Sequence, residues 1–117
     1  MFELNKSSKI YLYACPIDCR KSIDGLAYVV LSVLEREPKS GDVFIFYNRG
    51  KDKLKALFWD GNGFVLYYKR MDKRRFVLSK LLSGEVTLTH EECYLLFSGY
   101  DFTIQRDANA AIFSRYF

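Results

Sequence analysis

The residues with the most chemical potential in this chain are cations interleaved with aromatics. Between Arg49 and Arg75 stand nine basic residues (Arg49, Lys51, Lys53, Lys55, Lys69, Arg70, Lys73, Arg74 and Arg75) against three acidic ones, Asp52, Asp60 and Asp72. That stretch carries a net +6, whereas the rest of the chain, with nine basic and eleven acidic residues, carries −2. Trp59, Tyr67 and Tyr68 lie between the cationic groups. Ammonium and guanidinium groups neutralise phosphates while rings stack on bases, so the pattern suits nucleic acid. The candidate contacts are Asn48, Arg49, Lys53, Lys55, Trp59, Lys69, Arg70, Arg74 and Arg75. The plainer account is a solvated sheet edge with the aromatics in the core.

A second cationic pair, Arg20-Lys21, stands where a helix is about to begin. Cations there oppose the helix dipole by about 0.3–1 kcal/mol each. An anion on the free backbone N–H groups would reverse that sign, which makes Arg20 and Lys21 further phosphate candidates. Pairing with Asp18 and Asp24, or simple solvation, accounts for them equally well.

Other chemistry finds less support. Cys15, Cys19, His90 and Cys93 are four soft ligands, but their spacing is not that of a zinc finger or ribbon, so no metal is expected. His90 is the single histidine and stands in the first turn of an expected helix, without a nucleophile or orienting partner in view. Phosphate loops, nucleophile elbows and dinucleotide fingerprints are missing. Asp18, Asp24, Asp42 and Asp60 each have a turn or capping role that explains them. The expectation is a protein that is not an enzyme and uses no cofactor.

The elements that must position these residues are legible from periodicity. Ile10 to Ala14 reads as a strand ended by Pro16. Ile23, Leu26, Ala27, Val30, Leu31 and Leu34 recur at helical spacing, with Asp18 or Ser22 as the cap and Pro38 as the stop. Strands follow at Val43 to Tyr47, Leu54 to Trp59 and Phe64 to Met71, the last two joined by the turn Asp60-Gly61-Asn62-Gly63. These three are expected to form an antiparallel meander. Phe76 to Leu82 fits a strand or a short helix. Thr89-His90-Glu91-Glu92 is a capping box for a second helix that Gly99 ends. The fold class is therefore α+β: an antiparallel sheet with one long helix packed on it and a shorter C-terminal helix. The 117 residues form one domain, with its core at about 9–99 and 100–117 as a tail or arm. Both faces of the last two strands carry large residues, and the pattern does not decide which face is open. The longest apolar run, Leu26 to Leu34, is too short to span a bilayer. Met1 to Lys9 lacks the apolar core of a signal peptide. The expectation is a cytoplasmic protein with no membrane contact and reduced thiols.

Several linked stretches also resemble a known family. Pro16-Ile17-Asp18-Cys19-Arg20-Lys21-Ser22-Ile23-Asp24-Gly25-Leu26 is similar to its P-T-D-M-R-K-x-x-D-G-L. Ser40 to Phe46, Asn48-Arg49 followed by Asp52 to Lys55, Trp59 to Phe64, Tyr68-Lys69-Arg70 followed by Arg75-Phe76, and Leu88-Thr89 resemble its further motifs in order. The family is the small accessory protein of the IS-sixty-six type of bacterial insertion sequences, often called TnpB or the second open reading frame. The resemblance runs from about Ala14 to Gly99. It implies a role in DNA transposition beside a separate catalytic transposase. Lys73-Arg74 departs from a pair that usually ends in glycine, and Cys19 replaces a methionine. Two readings stand: a DNA-binding module acting through the basic aromatic surface, or a protein-interaction module. The second would dock the transposase or a second copy of the chain through that face or the apolar tail Ile112 to Phe117.

Overall fold

The computed structural model describes residues 4–78 and 82–103. Strand β1 (Ile10–Tyr13) leads through Pro16 into helix α1 (Ile23–Ser32), and the chain returns as β2 (Val43–Tyr47). A strand–helix–strand crossover brings its two strands back in the same direction. β1 and β2 accordingly pair in parallel, Ile10 against Val43 and Leu12 against Ile45. From β2 the chain runs antiparallel into β3 (Lys53–Trp59) and β4 (Phe64–Arg70). A late strand, β5 (Glu85–Leu88), lies antiparallel to β1, and helix α2 (His90–Phe97) follows it. The sheet order is β4-β3-β2-β1-β5.

The fold is α+β, as expected, and β2, β3 and β4 form the expected meander. The sheet as a whole is mixed. The parallel β1–β2 pair and β5 lay beyond the sequence reading because both are long-range pairings that no local periodicity encodes. The described part of Phe76 to Leu82, residues 76–78 and 82, is neither strand nor helix. Phe76 and Leu78 are buried in the core, and the Phe76 N–H donates to the Lys51 carbonyl at 2.7 Å.

Strand alternation divides the core in two. Tyr11, Phe44, Phe46 and Leu57 face α1 and meet Leu26, Val29 and Val30. Ile10, Leu12, Val43, Ile45, Leu54 and Ala56 face the other way and meet Cys93, Leu96 and Phe97 of α2, with Phe76, Leu78 and Phe102. Both faces are therefore covered. Phe102 is fully buried, so the core continues past Gly99 into what the sequence marked as tail. The apolar end of that tail, Ile112 to Phe117, lies outside the described residues.

Local signals mostly act as expected at the helix ends. The Thr89 hydroxyl accepts from the Glu92 N–H at 3.0 Å, and the Glu92 carboxylate accepts from the Thr89 N–H at 2.9 Å. Gly99 has φ +85, a left-handed conformation that favours glycine, and its bare Cα lies against the end of the Met71 side chain. α1 differs: Ser22 makes no side-chain cap bond, and the helix stops at Ser32, short of Leu34 and Pro38. Its end carbonyls are taken by the Leu34 and Arg36 N–H groups while Glu35 turns to φ 54. That turn carries Arg36 over the Tyr11 ring and into a two-pronged ion pair with Glu85, at 2.7 and 2.6 Å. No described helix is long and apolar enough to cross a membrane.

Candidate nucleic-acid interface

Three stretches distant in sequence meet at one end of the sheet. Ile17 to Arg20, on the way into α1, form one wall of a groove of about 440 Å³; Asn48, Arg49 and Gly50 form another; Lys53 and Tyr68, from β3 and β4, complete it. These are stretches that carry the family resemblance, brought together by the β1–α1–β2 crossover and the β2–β3 turn.

Each wall is held by its own hydrogen bonds. In the first, the Asp18 carboxylate accepts from the Arg20 N–H at 2.9 Å and from the Arg20 guanidinium at 2.8–3.1 Å. Those bonds hold the Asp18 pKa down at about 2. In the second, the Asn48 carboxamide oxygen accepts from the N–H groups of Asp52 (3.2 Å) and Lys53 (3.0 Å), while its NH₂ donates to Asp52 at 2.6 Å. This bond, chiefly, keeps the Asp52 carboxyl below its ordinary pKa. Asn48 thus builds the loop that displays Arg49. Asp52 also meets the Lys53 ammonium at 3.6 Å, so both acids near the groove are already engaged.

The floor is Lys55 and Tyr68, cross-strand neighbours. Lys55 is only 7% exposed; its ammonium donates to the Lys21 carbonyl at 2.8 Å and lies 5.1 Å from the Tyr68 ring centre. It is a charged strut between sheet and wall, and a cation over the ring. Tyr68 itself is 48% exposed, the most open aromatic of β3 and β4. Arg70 extends the surface from the position opposite Lys53 and is exposed.

The sequence candidates divide clearly. Arg20, Asn48, Arg49 and Lys53 line the groove, Lys55 underlies it, and Lys21 and Arg70 flank it. Arg75 stands behind the loop, its guanidinium donating to the Gly50 carbonyl. Lys69 and Arg74 are elsewhere. Lys69 points to the α2 face, where its ammonium donates to the Phe97 carbonyl at 2.7 Å, and Arg74 reaches the Gly99 carbonyl at 3.4 Å. Both neutralise the carbonyl end of α2, where the dipole favours cations.

Trp59 is also separate. It ends β3 opposite Phe64, six residue steps or about 20 Å from the Lys53–Arg70 pair. There its ring packs edge-on against Phe64, with the Lys39 ammonium 5.0 Å from its centre. Tyr68 is the groove aromatic that sequence reasoning left off its site. The strand register contains the signal: Tyr68, Arg70, Lys53 and Lys55 share one face by alternation, and Trp59 shares the face but lies at its far end.

The soft-ligand candidates are dispersed. Cys15 is exposed, Cys19 is buried near the groove, and Cys93 is fully buried on the core side of α2, where burial raises its pKa to about 12. His90 donates through Nε2 to the Ser8 carbonyl at 2.9 Å. No group of three or more metal-binding side chains forms among the described residues.

The family profile described as IS66 Orf2 like protein matches residues 8–107. An uncharacterized protein of Sinorhizobium fredii, y4jC, is 31% identical over 99 residues, covering 85% of both chains. A second from the same organism, y4hO, is 30% identical over 101 residues, covering 86% of this chain and 88% of its own. No solved structure matches significantly. With 100 of 117 residues inside the family profile, the chain belongs to the IS66 Orf2-like family of insertion-sequence accessory proteins.

Proposed function

We propose that this protein is a non-catalytic accessory factor that binds DNA through the groove at Arg20, Asn48, Arg49, Lys53 and Tyr68, in support of a separate transposase. The observation that carries the reading is the half-open Tyr68 ring set among Lys53, Lys55, Arg49 and Arg70. A ring with cations around it takes a base on its face and phosphates at its rim. The exposed Arg49 and Arg70 make no ion pair among the described residues, which leaves them for phosphate. The test is fluorescence anisotropy of labelled element-end DNA, duplex and single-stranded, at two salt concentrations. Affinity should fall steeply with salt, and Arg49→Ala should lower the slope of log K against log salt by about one. No binding at low salt would overturn the reading.

A protein-docking role has its own support on the other side of α1, where Tyr28 is 69% and Leu31 56% exposed. Exposed rings and aliphatics on one helix are suited to a protein partner such as the transposase. Co-purification with the transposase that survives nuclease treatment and is lost in Tyr28→Ala/Leu31→Ala supports this role; dependence on DNA counts against it.

A further inference from the structure

β4 is an edge strand whose charged residues, Lys69 and Arg70, stand only at its last two positions. It is seven residues long, pairs with β3 without interruption from Phe64 to Arg70, contains no proline, and carries apolar or aromatic side chains on both faces. None of its residues is fully buried, whereas β3 beside it has four buried in a row. A strand of this kind is a template for another strand.

The hydrogen-bond phase of the free edge follows from its ends. The Met71 N–H donates to the Asp52 carbonyl at 2.7 Å and the Asp60 N–H to the Gly63 carbonyl at 3.0 Å. In an antiparallel ladder bonded pairs alternate with non-bonded ones. With Lys53 opposite Arg70, the residues bonded to β3 are Val65, Tyr67 and Lys69. Phe64, Leu66, Tyr68 and Arg70 therefore direct their backbone N–H and C=O groups outward, and none of these groups has a partner among the described residues.

We propose that β4 pairs antiparallel with β4 of a second copy, about a two-fold axis at Tyr67. This register sets Phe64 against Arg70 of the second copy and Leu66 against its Tyr68. Every outward backbone group then meets another outward group. A shift by one residue would face outward groups with inward ones. Charge selects the same arrangement. The cations occupy one end of β4 and the apolar residues the other, so the two-fold places Lys69 and Arg70 opposite Val65 and Phe64. A parallel alignment would stack like charges, which is destabilising. The pairing leaves the α1 faces of both copies on one side. Tyr68 and Tyr68 of the second copy become diagonal neighbours about 7–8 Å apart, joining the two grooves into one surface. The pairing rests on the edge and its register, independently of what the groove binds.

Sedimentation equilibrium of the full chain, free of DNA and run from micromolar to sub-millimolar concentration, tests it, with Val65 as the probe. Val65→Lys faces Lys69 of the second copy at two symmetric positions and should weaken the dimer. Val65→Glu faces the same lysines and should tighten it. Each change should be roughly two- to thirtyfold, in opposite directions. Loss of folding would move both variants the same way. A chain that stays monomeric throughout overturns the proposal, whether the edge is free or covered by residues 104–117. So does a dimer indifferent to Val65, or one weakened by both substitutions in variants that keep the native circular-dichroism spectrum and a cooperative melt.

Discussion

The two faces of the β3–β4 hairpin have similar raw material and different fates. On the α2 face, Leu54, Ala56, Tyr67 and Lys69 lie under the end of a helix, and Lys69 is consumed by the Phe97 carbonyl. On the α1 face, Lys53, Lys55, Tyr68 and Arg70 lie beside the approach to a helix, and only Lys55 is drawn into a carbonyl bond with the wall. Helix polarity explains the contrast. The C-terminal end presents unsatisfied carbonyls that bind cations, and the N-terminal end presents N–H groups that do not. The α2 face closes into core, while the α1 face keeps its charge available.

Mutations can break this comparison, and the largest effect belongs to the closed face. Phe97, buried and packed edge-on against Tyr67, should cost about 3–5 kcal/mol as Phe97→Ala in a denaturant melt.

Next come the paired lysine and arginine. Lys69→Met should lower stability by about 1.5–3 kcal/mol through the lost charged hydrogen bond, with DNA affinity unchanged. Arg70→Met should do the converse, moving stability by less than about 0.5 kcal/mol and weakening DNA binding. Equal behaviour of the two variants would erase the distinction between the faces.

Tyr68→Leu should weaken binding to single-stranded DNA by about 1–3 kcal/mol in the same titration. Trp59→Leu should leave it unchanged, because that ring is packed with Phe64 and Lys39 at the other end of the strand.

The smallest effect is a titration. Asp18 has its folded pKa lowered to about 2, so its pairing with Arg20 favours the fold above the ordinary carboxylate range. That contribution is lost as pH falls from about 4 through 2. Carboxyl chemical shifts should show an Asp18 midpoint near 2 in the native chain and a higher one, still below the ordinary value, in Arg20→Ala, where the residue-20 N–H continues to donate to the carboxylate.

Much of this was legible in local pattern. The Asp60–Gly63 turn fixes the β3–β4 register, and that register alone places Lys53, Lys55, Tyr68 and Arg70 on one face. The Thr89 capping box and Gly99 mark α2 because capping groups bond within a turn of their own position. The end of α1 was misplaced because its stop depends on Arg36 reaching Glu85, forty-nine residues away. β5 and the parallel β1–β2 pair are likewise products of distant contacts.

The sequence by itself determined the charge asymmetry, the meander and the family, since each is written in neighbouring residues or in ordered motifs. Only the tertiary structure decided what each cation does. Lys55, Lys69, Arg74 and Arg75 donate to backbone carbonyls, while Arg49 and Arg70 remain exposed without an ion pair among the described residues. A lysine's role depends on which carbonyls the fold brings within reach of its ammonium, and that is settled by how helices dock on the sheet.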